Sequence, residues 1–455
     1  MQTLRAHVPS PLPLGDPTLA QLEAARATAH HGPSARRDRR GTALCLSGGG
    51  FRASLFHLGA VRRLDELGVL GRLRTISAVS GGALVANLLT HPDLEWPDPD
   101  GPPARVGGLS ELVAEPLLRL TSRNLRTPVL LSRFRPGGWA RPDAGVQGLT
   151  DQLERLVPWW GTDLREHRRG GPVVLTGATE IGYGVSWLFA DARSWAPRGQ
   201  VGDHRLGYAA PPPGLRIVDA VVASCAYPPF FAPLQLDGDL LGLSGGVPDP
   251  DEPAAVRESV RRRIQLADGG VYDNLGLEPV WSDHANVLVS DAGRALRSRD
   301  AGAGLSRLWH LLAIASSGGQ TARLRWLRAS FAAGVLQGAT WSLESPDGMR
   351  PTTRDGDHPE QAARARTGDR PAAYSADVVA TINAVRTDLD AFSRGEQRVL
   401  ERHGYLVADA SVRRHCPGVI ALDAPLRAPH PEVARGEDAV SELRDSARIT
   451  ALGRR

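Results

Sequence analysis

The sequence contains no lysine: every one of its 54 basic side chains is arginine, set against 50 acidic ones for a formal net charge of +4. An all-arginine basic set reads as the coding bias of a GC-rich genome. The arginines are scattered among nearly as many acids and form no clustered, aromatic-interleaved patch of the kind a nucleic-acid surface needs, so no nucleic-acid partner is expected. Cysteine is scarce. Cys45, Cys225 and Cys416 show neither CxxC spacing nor a paired pattern, which argues against a disulfide framework and a zinc site. Long apolar runs are missing too. The best, Leu308 to Ala315, contains His310, ends at a Ser-Ser-Gly-Gly break and falls short of the ~20 residues of a membrane span. Met1 to Ala20 lacks the charged start and apolar stretch of a secretory leader. The expectation is a cytoplasmic protein, with peripheral membrane contact left open.

At 455 residues, 42% apolar and 23% charged, the chain has the composition of a soluble globular protein with ample length for a large core. Residues 1–40 read as an arm rich in Pro, Ala, His and Arg, with one short helix-like piece, Leu19 to Ala29. Thr42 then opens a short continuous apolar run, as expected of a strand buried on both faces of a parallel sheet. After three glycines, Ala53 to Leu67 follows a helical repeat and stops at Gly68. A second strand, Thr75 to Val79, leads to Ser80 and a helix-like run, Ala83 to Leu89. Strand, helix, strand, helix with short connections describes βαβ units.

Further on, Val173 to Gly177 and Val185 to Phe189 read as neighbouring strands. Ser244 to Arg263 reads as a loop-like, charged, exposed insertion. Ile264 to Ala267 is a short strand running into Asp268-Gly269-Gly270, and Asn286 to Ser290 is another running into Asp291. From Leu305 onward the pattern is mostly helical, interrupted by a polar stretch, Ser345 to Pro371, that reads as a loop. Arg323, Trp326, Arg328, Phe331 and Trp341 mark a basic, aromatic helical stretch. A helix packed on the core and a helix lying on a lipid surface share that pattern, and packing is the expectation.

Two stretches carry chemistry. Ala78-Val79-Ser80-Gly81-Gly82 follows the Gly-x-Ser-x-Gly nucleophile elbow, whose small residues let neighbouring backbones approach a strained turn, with Ala78 in place of the first Gly. Ser80 at the start of a helix also fits a plain N-cap. Ser47-Gly48-Gly49-Gly50-Phe51-Arg52-Ala53 presents backbone N–H groups at a helix N-terminus, suited to a phosphate or an oxyanion. A dinucleotide fold competes, because Gly48, Gly50 and Ala53 satisfy a tolerant form of its fingerprint. That fold requires an acid at the end of the second strand, where this sequence has Ser80 and two glycines.

Taken with Asp268-Gly269-Gly270 and the run Ala223-Ser224-Cys225-Ala226-Tyr227-Pro228-Pro229-Phe230-Phe231, these motifs resemble the patatin-like phospholipase family over residues 42 to about 292. The resemblance implies a three-layer α/β/α sandwich with a mainly parallel sheet, here a catalytic domain over 41–292 followed by a mostly helical extension over 293–455. It implies a Ser-Asp dyad in which Ser80 attacks a lipid ester and Asp268 takes its proton. Gly48, Gly49, Gly50 and Arg52 would hold the oxyanion, and no metal or cofactor is needed. A phospholipid or lysophospholipid is the implied substrate.

An ordinary aspartate, with a pKa of ~3.9, is a feeble base for a hydroxyl, so the dyad needs a desolvated carboxyl. His57, His284 and His310 are the rival bases and Asp291 the rival acid, each with a packing or turn role that explains it as well. Asp273 and Asn274 read as builders of the turn after Gly270. The alternatives in other classes are a nucleotide-binding oxidoreductase using the glycine turn and a catalytically silent interaction module of the same fold. An acyl-transferase would use the same acyl-enzyme with another acceptor.

Overall fold

Residues 39–132, 144–166, 170–191, 200–228, 231–293, 305–345, 374–444 and 446 are described by the structure, a computed structural model. The expected arm up to residue 38, the expected loop from 346 onward, Pro229, Phe230, the side chain of His310 and the end of the chain lie outside them.

Strands β1 (Thr42–Leu46), β2 (Leu73–Val79), β3 (Val173–Glu180), β10 (Asn286–Asp291) and β11 (Gln337–Ser342) form a parallel block in the order β11-β10-β1-β2-β3. Beyond β3 the sheet becomes antiparallel through β4 (Val185–Ala190), β5 (Val201–Asp203), β6 (Gly207–Ala209) and β8 (Ser244–Gly245). The apolar runs of the central strands divide by alternation, as side chains on a strand must. Leu44, Leu46, Ile76, Ala78 and Leu288 enter one core, while Ala43, Cys45, Val287 and Val289 enter the other. Helices cover both faces, which makes a three-layer α/β/α sandwich around a mixed, mainly parallel sheet.

On the first face lie α1 (Gly50–Glu66), α2 (Gly81–Leu88), α3 (Glu115–Thr121), α4 (Arg126–Ser132), α5 (Ala144–Leu156) and α6 (Ile217–Cys225). A short helix α7 (Gly238–Leu241) and α8 (Ala254–Arg262) belong to the antiparallel wing. The expected exposed insertion is indeed exposed, with no buried residue on α8, but its charged half is helical. On the second face α9 (Leu305–Ala332) sets Leu324, Leu327 and Phe331 on the core around Trp281. The chain closes with α10 (Ala376–Ala384), α11 (Arg394–His415) and α12 (Gly436–Leu443).

One segment of the C-terminal third departs from the mostly helical pattern expected there. Gln337–Ser342 becomes strand β11, its backbone completing the ladder along β10 and its Ala339 and Trp341 entering the core, so that Trp341 lies on a strand and not in the expected helical stretch. Helix α11 meets α1 backbone to backbone: a Cβ on Gly59 would overlap the Glu401 carbonyl, and one on Gly404 would overlap the Phe56 carbonyl.

The register along β3 positions the site. One edge of β3 is shared end to end by two strands. Strand β2 takes its first part, with Val79 opposite Gly177, and β9 (Ile264–Asp268), itself paired with β7 (Leu234–Leu236), takes the next, with Asp268 opposite Ala178. The residue that leaves β2 after Val79 therefore emerges beside the last residue of β9.

Candidate active site

That residue is Ser80, held at φ 51° and ψ −120° between β2 and α2. A positive φ is strained for a residue with a Cβ, and only Ser80 and His430 adopt it among the described non-glycine residues. The crowding around the turn explains its small neighbours. A Cβ on Gly81 would overlap the Gly50 carbonyl, and one on Gly82 the Leu46 carbonyl. Ala78 is tolerated at the position of the missing first glycine because its methyl enters the core on the α1 face. Although Ser80 occupies the N-cap position of α2, its side chain makes no capping hydrogen bond. Its Oγ instead donates to Asp268 Oδ2 at 2.7 Å. The elbow is pinned from inside: the Ser80 N–H donates to Ser224 Oγ at 2.8 Å, and Ser224 Oγ donates to the Gly177 carbonyl at 2.6 Å.

Asp268 is buried and held on every side. Its N–H donates to the Ala226 carbonyl at 3.0 Å, its carbonyl accepts from Thr179 Oγ1 at 2.9 Å, and its Oδ1 accepts from the Gly270 N–H at 2.7 Å. Burial pushes the carboxyl up to about 7, against the smaller opposing pull of the Ser80 and Gly270 hydrogen bonds. The same pocket holds the Cys225 thiol and the Tyr227 hydroxyl above their usual ranges, first through burial and then through the charge of Asp268. This is the desolvated carboxyl that a serine–aspartate pair without histidine requires.

The glycine turn lies against the elbow. Gly49 (φ 142°) and Gly50 (φ 58°) use backbone conformations that a side chain would strain. The Gly48 N–H donates to the Asn274 carbonyl at 3.0 Å, and the Phe51 N–H to the Asp388 carbonyl at 2.9 Å. The N–H groups of Gly49 and Gly50, between them, have no acceptor among the described residues. Ser54 Oγ reaches from α1 to the Gly81 carbonyl at 2.7 Å and fixes the two turns to each other.

A family model described as "Patatin-like phospholipase" matches residues 44–156 and 200–281, which include the glycine turn, Ser80 and Asp268. The chain carries a patatin-like phospholipase domain. Lipid hydrolysis is the general activity that this family names. No curated protein sequence matches the chain. Among solved structures, human GIVD cytosolic phospholipase A2 is similar at 12% identity and a TM-score of 0.41, with 94% of this chain and 66% of that one covered. The chain thus spans just under two thirds of that protein. VipD from Legionella pneumophila is similar at 15% identity and a TM-score of 0.26, with 90% of this chain and 85% of that one covered.

The rival residues are placed elsewhere. His57 is fully buried, with Nδ1 2.8 Å from Ser290 Oγ and Nε2 2.9 Å from the Ser47 carbonyl, and burial lowers it to about 4. His284 bridges Thr75 Oγ1 and the Val280 carbonyl and is likewise lowered to about 4 by burial. Asp291 accepts from the Gly293 N–H and Gln320 Nε2, both at 2.9 Å. Asp273 accepts from the backbone of Glu278 at 2.8 Å and lies 3.4 Å from Arg323 Nε. Arg52 is not brought to Ser80. Its guanidinium is buried among backbone carbonyls, with Nη2 on Ala292 at 2.9 Å and Nη1 on Val385 and Asn383 at 3.2 and 3.4 Å. Among the described residues no group of three or more His, Cys, Asp or Glu could hold a metal ion.

Three supports escape a reading of the motifs alone: Ser224 behind the elbow, Thr179 behind the acid, and the Asn274 carbonyl behind Gly48. The signal for Ser224 was its place in a run of small residues, which marks close packing without saying against what.

Proposed function

We propose that the protein hydrolyses a lipid carboxylic ester through an acyl-enzyme on Ser80, with Asp268 as the sole proton carrier. The hydrogen bond from Ser80 Oγ to Asp268 Oδ2 carries this reading. With the carboxyl ionised, Oδ2 takes the hydroxyl proton as Oγ attacks the ester carbonyl. The oxyanion that forms is met by the N–H groups of Gly49 and Gly50, which donate to no acceptor among the described residues, at the positive end of α1. Asp268 then returns the proton to the departing alcohol. The regenerated carboxylate activates water, whose attack on the acyl carbon releases the fatty acid and restores the serine. A carboxyl near neutrality suits both halves, since it ionises at working pH yet holds a proton better than an exposed aspartate.

Gly48 and Arg52 serve this site indirectly, the first by tying the turn to Asn274 and the second by anchoring α1. The family likeness supports a phospholipid or lysophospholipid as substrate, met at a membrane surface. A fluorophosphonate probe should label the wild type at Ser80, and Ser80→Ala should lose both labelling and turnover of a short-chain ester. Normal turnover by a folded Ser80→Ala protein would sink the mechanism.

A further inference from the structure

Helix α9 is built the wrong way round for a helix that faces water. Its inner side is tied to the catalytic edge of the sheet: Gln320 bonds Asn274 Nδ2 at 3.1 Å and Asp291 at 2.9 Å, and Arg323 donates to the Tyr272 carbonyl at 2.8 Å. Asn274 is the residue whose carbonyl holds Gly48. On the outer side, the exposed positions among the described residues run from Arg307 to Ala332, and at 3.6 residues per turn they share one face of about 140° of arc. That face holds Arg307, Arg325 and Thr321; all the rest is apolar or glycine. Leu311 is 54% exposed, Ile314 42% and Trp326 47%. A solvent face ordinarily carries the charged residues of an amphipathic helix. Between Asp300 and Glu344 the sequence has no acidic residue at all.

Position adds a second constraint. Gln320 sits level with the C-terminal end of β10, where Asp291 lies, so the preceding stretch Leu305 to Gly319, about 22 Å at ~1.5 Å per residue, overhangs the edge that carries the site. Leu311 and Ile314 are on that overhang. Apolar side chains flanked by arginine, with no acid to repel a negative surface, match the chemistry of an anionic lipid interface. We infer that the outer face of α9 docks on an anionic lipid surface and sets the Ser80 site against it. The inference deepens the hydrolase reading, on which it rests for its purpose, but it stands on different residues.

The test is co-sedimentation with vesicles of phosphatidylcholine alone or in equal parts with phosphatidylglycerol. Wild type should sediment with the anionic vesicles, less so in high salt, and poorly with the neutral ones. The double variant Leu311→Glu, Ile314→Glu should lose about tenfold or more in partitioning, and Arg325→Glu about fivefold. Both should keep the wild-type thermal midpoint and short-chain ester turnover; if the double variant does not fold, Leu311→Ser with Ile314→Ser serves in its place. Ser80→Ala should bind vesicles like wild type, so that a failed hydrolase reading leaves this result intact. Absence of wild-type binding, or full binding by the folded double variant, overturns the inference. So does a lipid-free dimer in light scattering that the double variant converts to monomer without any vesicle binding, which would assign the face to a second copy of the chain.

Discussion

Replacing Asp268 by asparagine should abolish turnover and, above neutral pH, make the protein more stable. The carboxyl lies buried with its pKa raised from 3.8 to about 7, so folding takes an ionised aspartate out of water at pH 8 and a protonated one at acid pH. Between the unfolded and folded values the native state binds the extra proton, and stability contributed by this group falls as pH rises. With those two values the penalty amounts to about 2 kcal/mol at pH ~5 and about 4 kcal/mol at pH ~8. Asparagine escapes it, since its amide oxygen can accept from the Gly270 N–H and its amide nitrogen can face Ser80 Oγ. Urea unfolding of the two proteins should therefore diverge by about 2–3 kcal/mol in favour of Asp268→Asn between pH ~5 and ~8, while kcat drops by several orders of magnitude. A stability difference that stays flat with pH would refute the raised pKa, whatever the effect on turnover. The same titration sets the rate profile: kcat/KM should rise as pH passes upward through about 7 and the base ionises.

Two backbone predictions follow from the crowding at the elbow. Gly81→Ala places a methyl on the Gly50 carbonyl and should destabilise the protein by about 1–3 kcal/mol or more while removing activity; a wild-type thermal midpoint would show that the two turns are not pressed together. Ser224→Ala leaves the Ser80 N–H and the Gly177 carbonyl without partners at a buried site, for about 1–3 kcal/mol. Because that bond holds the nucleophile rather than the substrate, kcat should fall with KM nearly unchanged, and a change confined to KM would remove Ser224 from the positioning of Ser80.

Much of the site could be read ahead of the structure because its signals are local. Glycines before a helix, a serine between a strand and small residues, and an aspartate closing a short strand each declare a turn within a few positions. The burial that the dyad needs was likewise foreseeable from the weakness of an ordinary aspartate as base. What escaped depends on distant pairings. The end-to-end sharing of β3 by β2 and β9 joins residues 188 positions apart. The strand Gln337–Ser342 is announced only by the short alternation Ala339-Thr340-Trp341-Ser342 and owes its place to β10. Arg52, next to the glycines in sequence, was expected at the oxyanion. Its guanidinium turns instead to carbonyls from 240 to 333 positions downstream, because a buried cation must be satisfied by whatever acceptors the fold supplies.

The meeting of Gly59 and Gly404 bears on how such a chain can be cut or recombined. Two helices in backbone contact leave no room for water or for a substitute partner, and α11 lies well beyond the last residue matched to the family. A fragment ending at residue 292 would keep every motif yet lay bare the whole length of α1 that faces α11, along with the β10 edge that β11 occupies. It would also leave Phe51 and Arg52, directly after Gly49 and Gly50, without the carbonyls of residues 383–388. Transplanting the glycine turn and the elbow into another scaffold would require carrying their C-terminal backing with them.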